Sequence, residues 1–351
     1  MRVYRGGQIE STHYGSIAVV DSNGRLLAYA GDPDSYTFLR SAAKPFQTLP
    51  ILQEGASEEY QLTSEEIALM CGSHGGELRH ISTVAAILRK GEFDESDLLC
   101  GVHVPYDERV AAEMRLSGEA PSVLHNNCSG KHAGMLLGCS LMDAPTATYL
   151  NLDHPLEQRI LQCLAEFAGV QPESIPTGVD GCGVASFYLS LYRAAYAYAR
   201  LAATATGAMA PAGLPRYADA ARELTESMMS CPEYVAGAWS ITTPLMQSYG
   251  SQLLAKEGAE GFYAMAIFPE LTSKLTDRLA LAGDGPIGIA MKVSDGSMTR
   301  GRDPAILRTL NILGIETDGS ARLSPYGQGR IQNYSGTLVG DVKAEFDLTF
   351  L

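Results

Sequence analysis

A serine and a lysine three residues apart are the first side chains in this chain that could do chemistry together. They are Ser41 and Lys44 in the segment SAAKP. Residues three apart lie on one face of a helix, so the amine can reach the hydroxyl. Lysine activates a serine only when it is uncharged, which requires burial or nearby positive charge. Pro45 fits only the first helical turn and places the helix start near Ser41 or Ala42. The alternative is an N-cap serine followed by a solvated lysine.

A second serine and a second lysine lie in glycine-rich segments. Ser73 and His74 belong to CGSHGG, where glycine lets the backbone approach a ligand closely. The alternative is a tight turn between two helices. Because the pattern is not G-x-S-x-G, it does not support an α/β-hydrolase nucleophile elbow. Lys256, in KEGAEG, precedes an apolar strand and matters chemically only if that strand borders a pocket.

The segment HNNCSGKHAG, residues 125–134, predicts a ligand-binding loop at a helix start. It does not satisfy the phosphate-loop pattern, because His125 and His132 replace the required glycine and Ser or Thr. Its many donors suit a small anionic ligand. Cys128 and Lys131 on one turn could share a metal ion, although a lysine must first lose its proton.

A similar loop, GVDGCG, covers residues 178–183. It is typical of a strained turn that directs Asp180 and Cys182 toward a site. The alternative is an ordinary loop in which glycine supplies positive φ angles. The cysteines of these two loops differ from the others in the chain, whose apolar or helical contexts indicate plain packing.

The predicted elements indicate an α+β fold that could position these residues. A hairpin is expected over residues 15–30 with its turn at 22–24, because Asn-Gly joins two apolar runs. Helices are expected over residues 64–70, 80–89, 107–118, 131–142, 155–168, 185–205 and 217–229, and strands over 261–268, 287–293 and 332–350. Strands at both chain ends favour an antiparallel sheet with a helical insertion over a parallel doubly wound fold. We expect a single domain, 1–351, with a mixed α/β lobe from both chain ends and a helical lobe from the middle.

Composition narrows the class of function. The 351 residues carry 26 basic and 40 acidic side chains, a formal net charge of −14. This charge argues against nucleic-acid and anionic-membrane partners, which require basic patches. The seven cysteines contain no C-x-x-C pair, and the N-terminal segment has no apolar run of a signal peptide. We therefore expect a cytoplasmic protein with reduced cysteines.

Taken in order, the motifs GSH, NNCSGKHAGM, DHP and GVDGCG resemble the inducible, Rhizobium-type (class 3) L-asparaginases of the asparaginase II family. The resemblance extends from residues 5–7 to residues 295–296. It implies a fold like that of serine β-lactamases and glutaminases, with a central antiparallel sheet flanked by helices and a helical subdomain. It also implies a small-molecule substrate, L-asparagine, and a homodimer is expected.

The resemblance also implies roles for individual residues. Two Ser–Lys tandems are expected in one pocket, Ser41 with Lys44 and Ser73 with Lys256. A metal ion, typically zinc and auxiliary in role, is expected at Cys128, Lys131 and Cys182. The residues expected to bind substrate are Arg40, His74, Asn127, His132, Asp180 and Gly181.

Two segments depart from the family pattern. Val184-Ala185 stands where the family usually has Val-Pro, and residues 238–242, AWSIT, replace a Gly-Arg run. If the second segment lines the pocket, substrate preference or turnover differs from that of the family.

The resulting hypothesis is attack on the side-chain amide by a lysine-activated serine, with the oxyanion held by backbone N–H groups near Ser41. Ser41 is favoured as nucleophile because its lysine is fixed locally, and Ser73 is the alternative. A zinc-dependent hydrolase of another small amide and a non-catalytic amino-acid-binding protein are the competing hypotheses.

Overall fold

The computed structural model describes residues 1–207, 214–272, 275, 279, 285–327 and 329–351. The strands are β1 (Arg2–Arg5), β2 (Gln8–Thr12), β3 (Gly15–Asp21), β4 (Leu26–Ala30), β5 (Tyr36–Phe38), β6 (Thr177–Val179), β7 (Ala185–Ser190), β8 (Leu253–Glu257), β9 (Phe262–Ile267), β10 (Ile287–Val293), β11 (Arg330–Gln332), β12 (Leu338–Lys343) and β13 (Thr349–Phe350). The helices are α1 (Lys44–Gln53), α2 (Ala56–Tyr60), α3 (Ser64–Met70), α4 (Leu78–Lys90), α5 (Glu108–Ser117), α6 (Ser129–Leu141), α7 (Pro155–Ala168), α8 (Leu191–Thr206), α9 (Ala218–Ser230), α10 (Pro232–Val235), α11 (Thr242–Tyr249), α12 (Pro269–Thr272) and α13 (Asp303–Ile312).

The main sheet joins strands from both ends of the chain. Within the described ranges its order is β13-β4-β3-β10-β9-β8, and every neighbouring pair is antiparallel. Two smaller sheets, β11-β12-β1-β2 and β5-β7-β6, accompany it. Along the chain, the helices α1–α11 all lie between β4 and β8. The expected α+β fold, an antiparallel sheet with a helical insertion, is confirmed.

Helix α8 packs directly across the main sheet, against β10, β3 and β9. Its close approach requires glycine on the central strand, since a Cβ at Gly288 would lie 1.8 Å from the Ala195 carbonyl oxygen. The helices α1, α3, α6, α7 and α9 pack against one another beyond it. Buried apolar side chains of sheet and helices form one contiguous cluster. No helix in the described part of the chain is long and apolar enough to cross a membrane.

The hairpin predicted over residues 15–30 is confirmed as β3 and β4, with Gly24 at φ 87° in the turn. The helix predicted over residues 185–205 is wrong in its first part. Residues Ala185–Ser190 form strand β7, because they pair with both β5 and β6, and the Ser190 hydroxyl then accepts from Arg193 N to begin α8. The helix start expected near Ser41 is also displaced, because Arg40–Ala43 form a 3₁₀ turn and α1 begins at Lys44.

Candidate active site

The amines of two buried lysines meet at the hydroxyl of Ser73. Lys44 Nζ lies 3.0 Å and Lys256 Nζ lies 2.9 Å from Ser73 Oγ. Lys44 and Lys256 are 1% and 0% exposed, and Ser73 is 2% exposed. Two amines on one hydroxyl in a water-poor environment are suited to removing its proton and stabilising the resulting charge.

Three separate elements bring these side chains together. Lys44 is the first residue of α1, Lys256 lies on strand β8, and Ser73 lies in the turn after α3. Ser73 N donates to the Val235 carbonyl oxygen at 2.7 Å, which fixes the serine backbone. The turn needs glycine at position 72, where a Cβ would lie 2.5 Å from the Tyr234 carbonyl oxygen. Gly72 therefore lets the turn pack closely against the backbone of this chain, whereas the close approach to a ligand suggested by the sequence stays a prediction.

The two lysines have different surroundings. Lys44 donates to Ser73 Oγ, to the Gly72 carbonyl oxygen and to Asn127 O at 3.4 Å, so all three N–H groups of an ammonium have acceptors. The pKa of Lys256 is lowered to about 8 in total: burial lowers it most, neighbouring Glu257 opposes this, and the charge of Lys44 also lowers it. Lys256 therefore loses its proton more readily near neutral pH than an ordinary lysine does.

A buried carboxylate also holds the Lys256 amine. Lys256 Nζ donates to Glu257 Oε1, while Thr242 Oγ1 donates to Glu257 Oε2 at 2.6 Å. The Tyr263 hydroxyl lies 3.0 Å from Thr242 Oγ1. Glu257 is 2% exposed. Both carboxylate oxygens are therefore hydrogen-bonded, as the burial of a charge requires.

A cleft of about 950 Å³ opens next to Ser73. Ser41 also lines this cleft, yet no hydrogen bond joins its hydroxyl to Lys44 among the described residues, because the lysine amine is turned toward Ser73. The sequence-predicted residues that line the cleft are Arg40, Ser41, Ser73, Asn127, Cys128, Asp180, Gly181 and Cys182. Lys44, Lys131 and Lys256 lie behind its wall.

Arg40 and Asp180 form an ion pair at the edge of the cleft. Arg40 Nε lies 2.9 Å from Asp180 Oδ2, and Nη2 lies 3.3 Å from Oδ1. Burial opposes ionisation of Asp180, but the hydrogen bonds from Arg40 prevail and lower its pKa. Arg40 has a positive φ of 50°, an uncommon conformation for a residue other than glycine. The strained turn thus directs a guanidinium into a substrate-sized space.

Cys128, Lys131 and Cys182 lie together, as the resemblance to the family implied. Lys131 Nζ donates to Cys182 Sγ at 3.1 Å, and a hydrogen bond from the Cys182 thiol lowers the pKa of Cys128 well below its usual value. The described residues hold no group of three or more His, Cys, Asp or Glu side chains suited to a metal ion, so a metal here would need Lys131 as third donor. Two sulfur donors and one nitrogen donor fit zinc.

The three other residues predicted to bind substrate have different environments. Asn127 lines the cleft, and its Oδ1 lies 3.0 Å from His103 Nε2. His74 is fully buried, and its Nε2 donates to Ser129 Oγ at 2.9 Å. His132 is also fully buried, with Nδ1 2.8 Å from the Tyr149 hydroxyl. Burial lowers the pKa of both histidines well below its usual value, and neither lines the cleft.

Sequence reasoning missed two residues beside Ser73. Trp239, the single tryptophan of the chain, lines the cleft, and its Nε1 donates to the Ser73 carbonyl oxygen at 3.3 Å. Glu257 was visible only as the neighbour of Lys256. The available signal was the segment 238–242, which departs from the family pattern and supplies both Trp239 and Thr242.

Comparisons with known proteins give a family and several distant structures. A family model described as L-asparaginase II matches residues 1–344. No curated protein matches the chain. A structure described as "Crystal Structure Analysis of Mglu in its native form" has 16% identity and a TM-score of 0.36 over 88% of this chain and 66% of that chain.

Two further solved structures are similar. "Crystal Structure Analysis of Mglu" has 17% identity and a TM-score of 0.37, covering 88% of this chain and 69% of that chain. A Bacillus glutaminase structure has 13% identity and a TM-score of 0.33, covering 80% of this chain and 83% of that chain. Values this low carry no argument about the activity of this chain.

Proposed function

Because this chain belongs to the L-asparaginase II family, we propose that it hydrolyses the side-chain amide of L-asparagine to L-aspartate and ammonia, with Ser73 as nucleophile and Lys256 as base. Membership of this family makes the chain an amidohydrolase. The observation that carries the mechanism is the contact of both lysine amines with one hydroxyl, Ser73 Oγ. This contact favours Ser73 over Ser41, which the local Ser-x-x-Lys spacing had suggested.

Acylation begins with transfer of the Ser73 proton to the neutral amine of Lys256. Ser73 Oγ then forms a bond to the carboxamide carbon, and the carbonyl π electrons move to its oxygen. When the tetrahedral intermediate collapses, the C–N bond breaks and the Lys256 ammonium returns the proton to the leaving nitrogen, giving ammonia. Water, with Lys256 again as base, hydrolyses the acyl-enzyme to aspartate and restores the Ser73 hydroxyl.

Lys44 acts as a fixed cation in this scheme. Its ammonium stabilises negative charge developing on Ser73 Oγ and favours an uncharged Lys256. The amides of Ser73 and His74 donate to Val235 O and Asn127 O, so they are not free for an oxyanion. The oxyanion donors proposed here are therefore the N–H groups near Ser41, which lines the same cleft.

The remaining cleft residues provide contacts for the amino-acid part of the substrate. Arg40 supplies positive charge for the substrate carboxylate, and Asp180 and Gly181 form the adjacent wall. Cys128, Lys131 and Cys182 would hold an auxiliary zinc ion, whose charge would assist substrate binding nearby. Zinc would displace protons from these donors on binding. A homodimer is proposed as the assembly.

The test is ammonia release from L-asparagine by the purified chain and by Ser73→Ala and Ser41→Ala variants. We expect Ser73→Ala to lose turnover by about 1,000-fold or more and Ser41→Ala to retain more of it. Loss of turnover only in Ser41→Ala would assign the nucleophile to Ser41 instead.

Tryptophan fluorescence separates an enzyme from a non-catalytic binding protein. Trp239 contacts the Ser73 backbone, so a bound amino acid is expected to change its emission. In the Ser73→Ala variant, L-asparagine should change the emission without release of ammonia. A wild-type chain that shows the emission change but releases no ammonia would be a binding protein, which contradicts the proposed function.

A further inference from the structure

The carboxylate of Glu257 makes more specific contacts than are needed to neutralise the charge of Lys256. Its two oxygens are used separately, Oε1 by Lys256 Nζ and Oε2 by Thr242 Oγ1. Lys256 Nζ additionally donates to the Glu257 carbonyl oxygen at 3.2 Å. The amine thus has acceptors on both Glu257 and Ser73, and these contacts together fix its direction.

Thr242 is itself held by other buried groups. The Ser240 hydroxyl lies 3.2 Å from Thr242 Oγ1, and Tyr263 OH lies 3.0 Å from the same atom. Thr242 and Tyr263 are both fully buried. Glu257 therefore lies in a rigid site in which the carboxylate cannot easily turn away from Lys256.

We propose that Glu257, held by Thr242, is a positioning residue that fixes the Lys256 amine on the Ser73 hydroxyl, so that the three side chains act as orienting carboxylate, base and nucleophile. This inference rests on the proposed role of Ser73 and Lys256 as nucleophile and base. A third group that orients the base is the general logic of catalytic triads. Glu257 takes up no proton in this step: the proton of Ser73 moves to Lys256 Nζ, and the adjacent carboxylate stabilises the resulting ammonium.

The pH dependence of the lysine follows from the groups that face it. Those groups come from four packed elements and are Lys44 on α1, Cys71 at the end of α3, Cys128 before α6, and Glu257 beside it on β8. The Glu257 carboxylate raises the pKa of Lys256, so its removal should lower that pKa. The pH at which the base becomes active should then decrease, while the rate at high pH falls because the amine is less well directed.

Labelling of Ser73 by phenylmethylsulfonyl fluoride tests the inference without asparagine. In this reaction the Oγ–S bond forms, the S–F bond breaks, and the serine proton passes to Lys256. The rate of labelling is measured by mass spectrometry between pH 6 and 10. In Glu257→Gln, we expect the rate at high pH to fall by about 100-fold, the lower end of what a positioned base contributes. The part of the pH profile in which the labelling rate increases, its rising limb, should move to lower pH by about one unit.

Two further variants separate the charge of Glu257 from its orientation. Thr242→Val keeps the carboxylate but removes one of its hydrogen bonds, so labelling should slow by about tenfold with little movement of the rising limb. Thr243→Val is the matched control, because Thr243 is buried next to it and, within the described residues, its hydroxyl bonds to Gly237 O and Pro232 O and to no group of the site. Glu66→Gln controls for loss of a buried carboxylate, since Glu66 pairs with Lys90 away from the cleft.

The outcomes distinguish this inference from the proposed function. A Glu257→Gln variant with the wild-type labelling rate and the wild-type pH dependence of labelling would overturn the role of Glu257, whatever the asparaginase assay gives. Absence of Ser73 labelling in the wild-type chain would overturn it as well. Labelling that responds as expected, in a chain that releases no ammonia from L-asparagine, would support the positioning role and contradict the proposed substrate.

Discussion

At the scale of single residues, Lys44 and Lys256 are identical side chains whose surroundings suit them to different roles. Both amines contact Ser73 Oγ at about the same distance, 3.0 and 2.9 Å. Lys44 Nζ has two carbonyl oxygens as further acceptors, so each N–H group of an ammonium there would have a partner. Lys256 Nζ also has three acceptors among the described residues, Ser73 Oγ and two oxygens of Glu257, so what sets it apart is its pKa, which is lowered to about 8, chiefly by burial. The lowered pKa suits Lys256 to act as a base.

Activity should therefore rise with pH on the acid side of the profile. Lys256 is charged and inactive below its pKa, so roughly a tenth is neutral at pH 7 and about nine tenths at pH 9. We expect kcat/KM for L-asparagine to rise about tenfold per unit from pH 6, and to level above about pH 8. A steady-state series from pH 6 to 10 measures this. A profile that is flat or falls from pH 6 to 9 would exclude neutral lysine as the base.

Only part of the site could be predicted from spacing. The Ser41–Lys44 pair was visible because its members are three residues apart. The lysine nevertheless turns to Ser73, 29 positions away in the chain. Lys256 and Ser73 are 183 positions apart in the chain, and no local sequence pattern predicts a contact between residues so far apart. The resemblance to a family supplied that pairing, whereas Glu257 and Thr242 became visible as positioning groups only once β8 and α11 were placed.

At the scale of elements, helix α8 connects the main sheet to the site. The Tyr198 hydroxyl on α8 donates to Ala42 O at 2.8 Å, in the turn that carries Ser41. The same helix lies against Gly288 of β10. Sequence patterns predicted the hairpin and most helices because their periodicity is local. They missed the strand Ala185–Ser190, because its apolar residues continue into a buried helix and only its partners β5 and β6 distinguish it.

Enlarging Gly288 should separate α8 from the sheet. In Gly288→Ala the Cβ would lie 1.8 Å from Ala195 O, a backbone atom that cannot turn aside. We expect the free energy of unfolding to fall by about 3 kcal/mol or more, beyond ordinary overpacking. Gly327→Ala is the control, since its Cβ would meet Leu307 at an ordinary 3.6 Å, and its unfolding free energy should change by about 0.5 kcal/mol or less. Urea unfolding followed by circular dichroism measures both, and equal midpoints would contradict this account of the packing.

At the scale of the whole molecule, the candidate zinc site joins two distant parts of the helical region. Cys128 and Lys131 lie at the start of α6, and Cys182 lies 51 positions after Lys131, in the loop between β6 and β7. That loop also carries Asp180, the partner of Arg40. A ligand at this point would tie the cleft wall to the helices behind it. The single domain and the homodimer stay predictions. Measuring the mass of the assembly in solution would test the homodimer.

Zinc should stabilise the folded chain as a whole, because the unfolded chain does not hold the three donors together. A ligand at one hundred times its Kd adds about 2.7 kcal/mol of stability when it binds only the native state. We expect the melting temperature to rise on addition of zinc to the wild-type chain and to stay unchanged in Cys182→Ser. Cys231→Ser, which alters a half-buried cysteine outside the cleft, should keep the full rise. Differential scanning calorimetry gives all three values.

The auxiliary role of zinc predicts a further result for the same proteins. After chelation, turnover of L-asparagine should persist with a higher KM, because Ser73 and its two lysines need no metal to exchange a proton. Complete loss of turnover on chelation, restored by zinc alone, would instead support a zinc-dependent hydrolase. An equal rise of melting temperature in the wild-type chain and in Cys182→Ser would show that zinc binds elsewhere, and the assignment of Cys128, Lys131 and Cys182 would then be wrong.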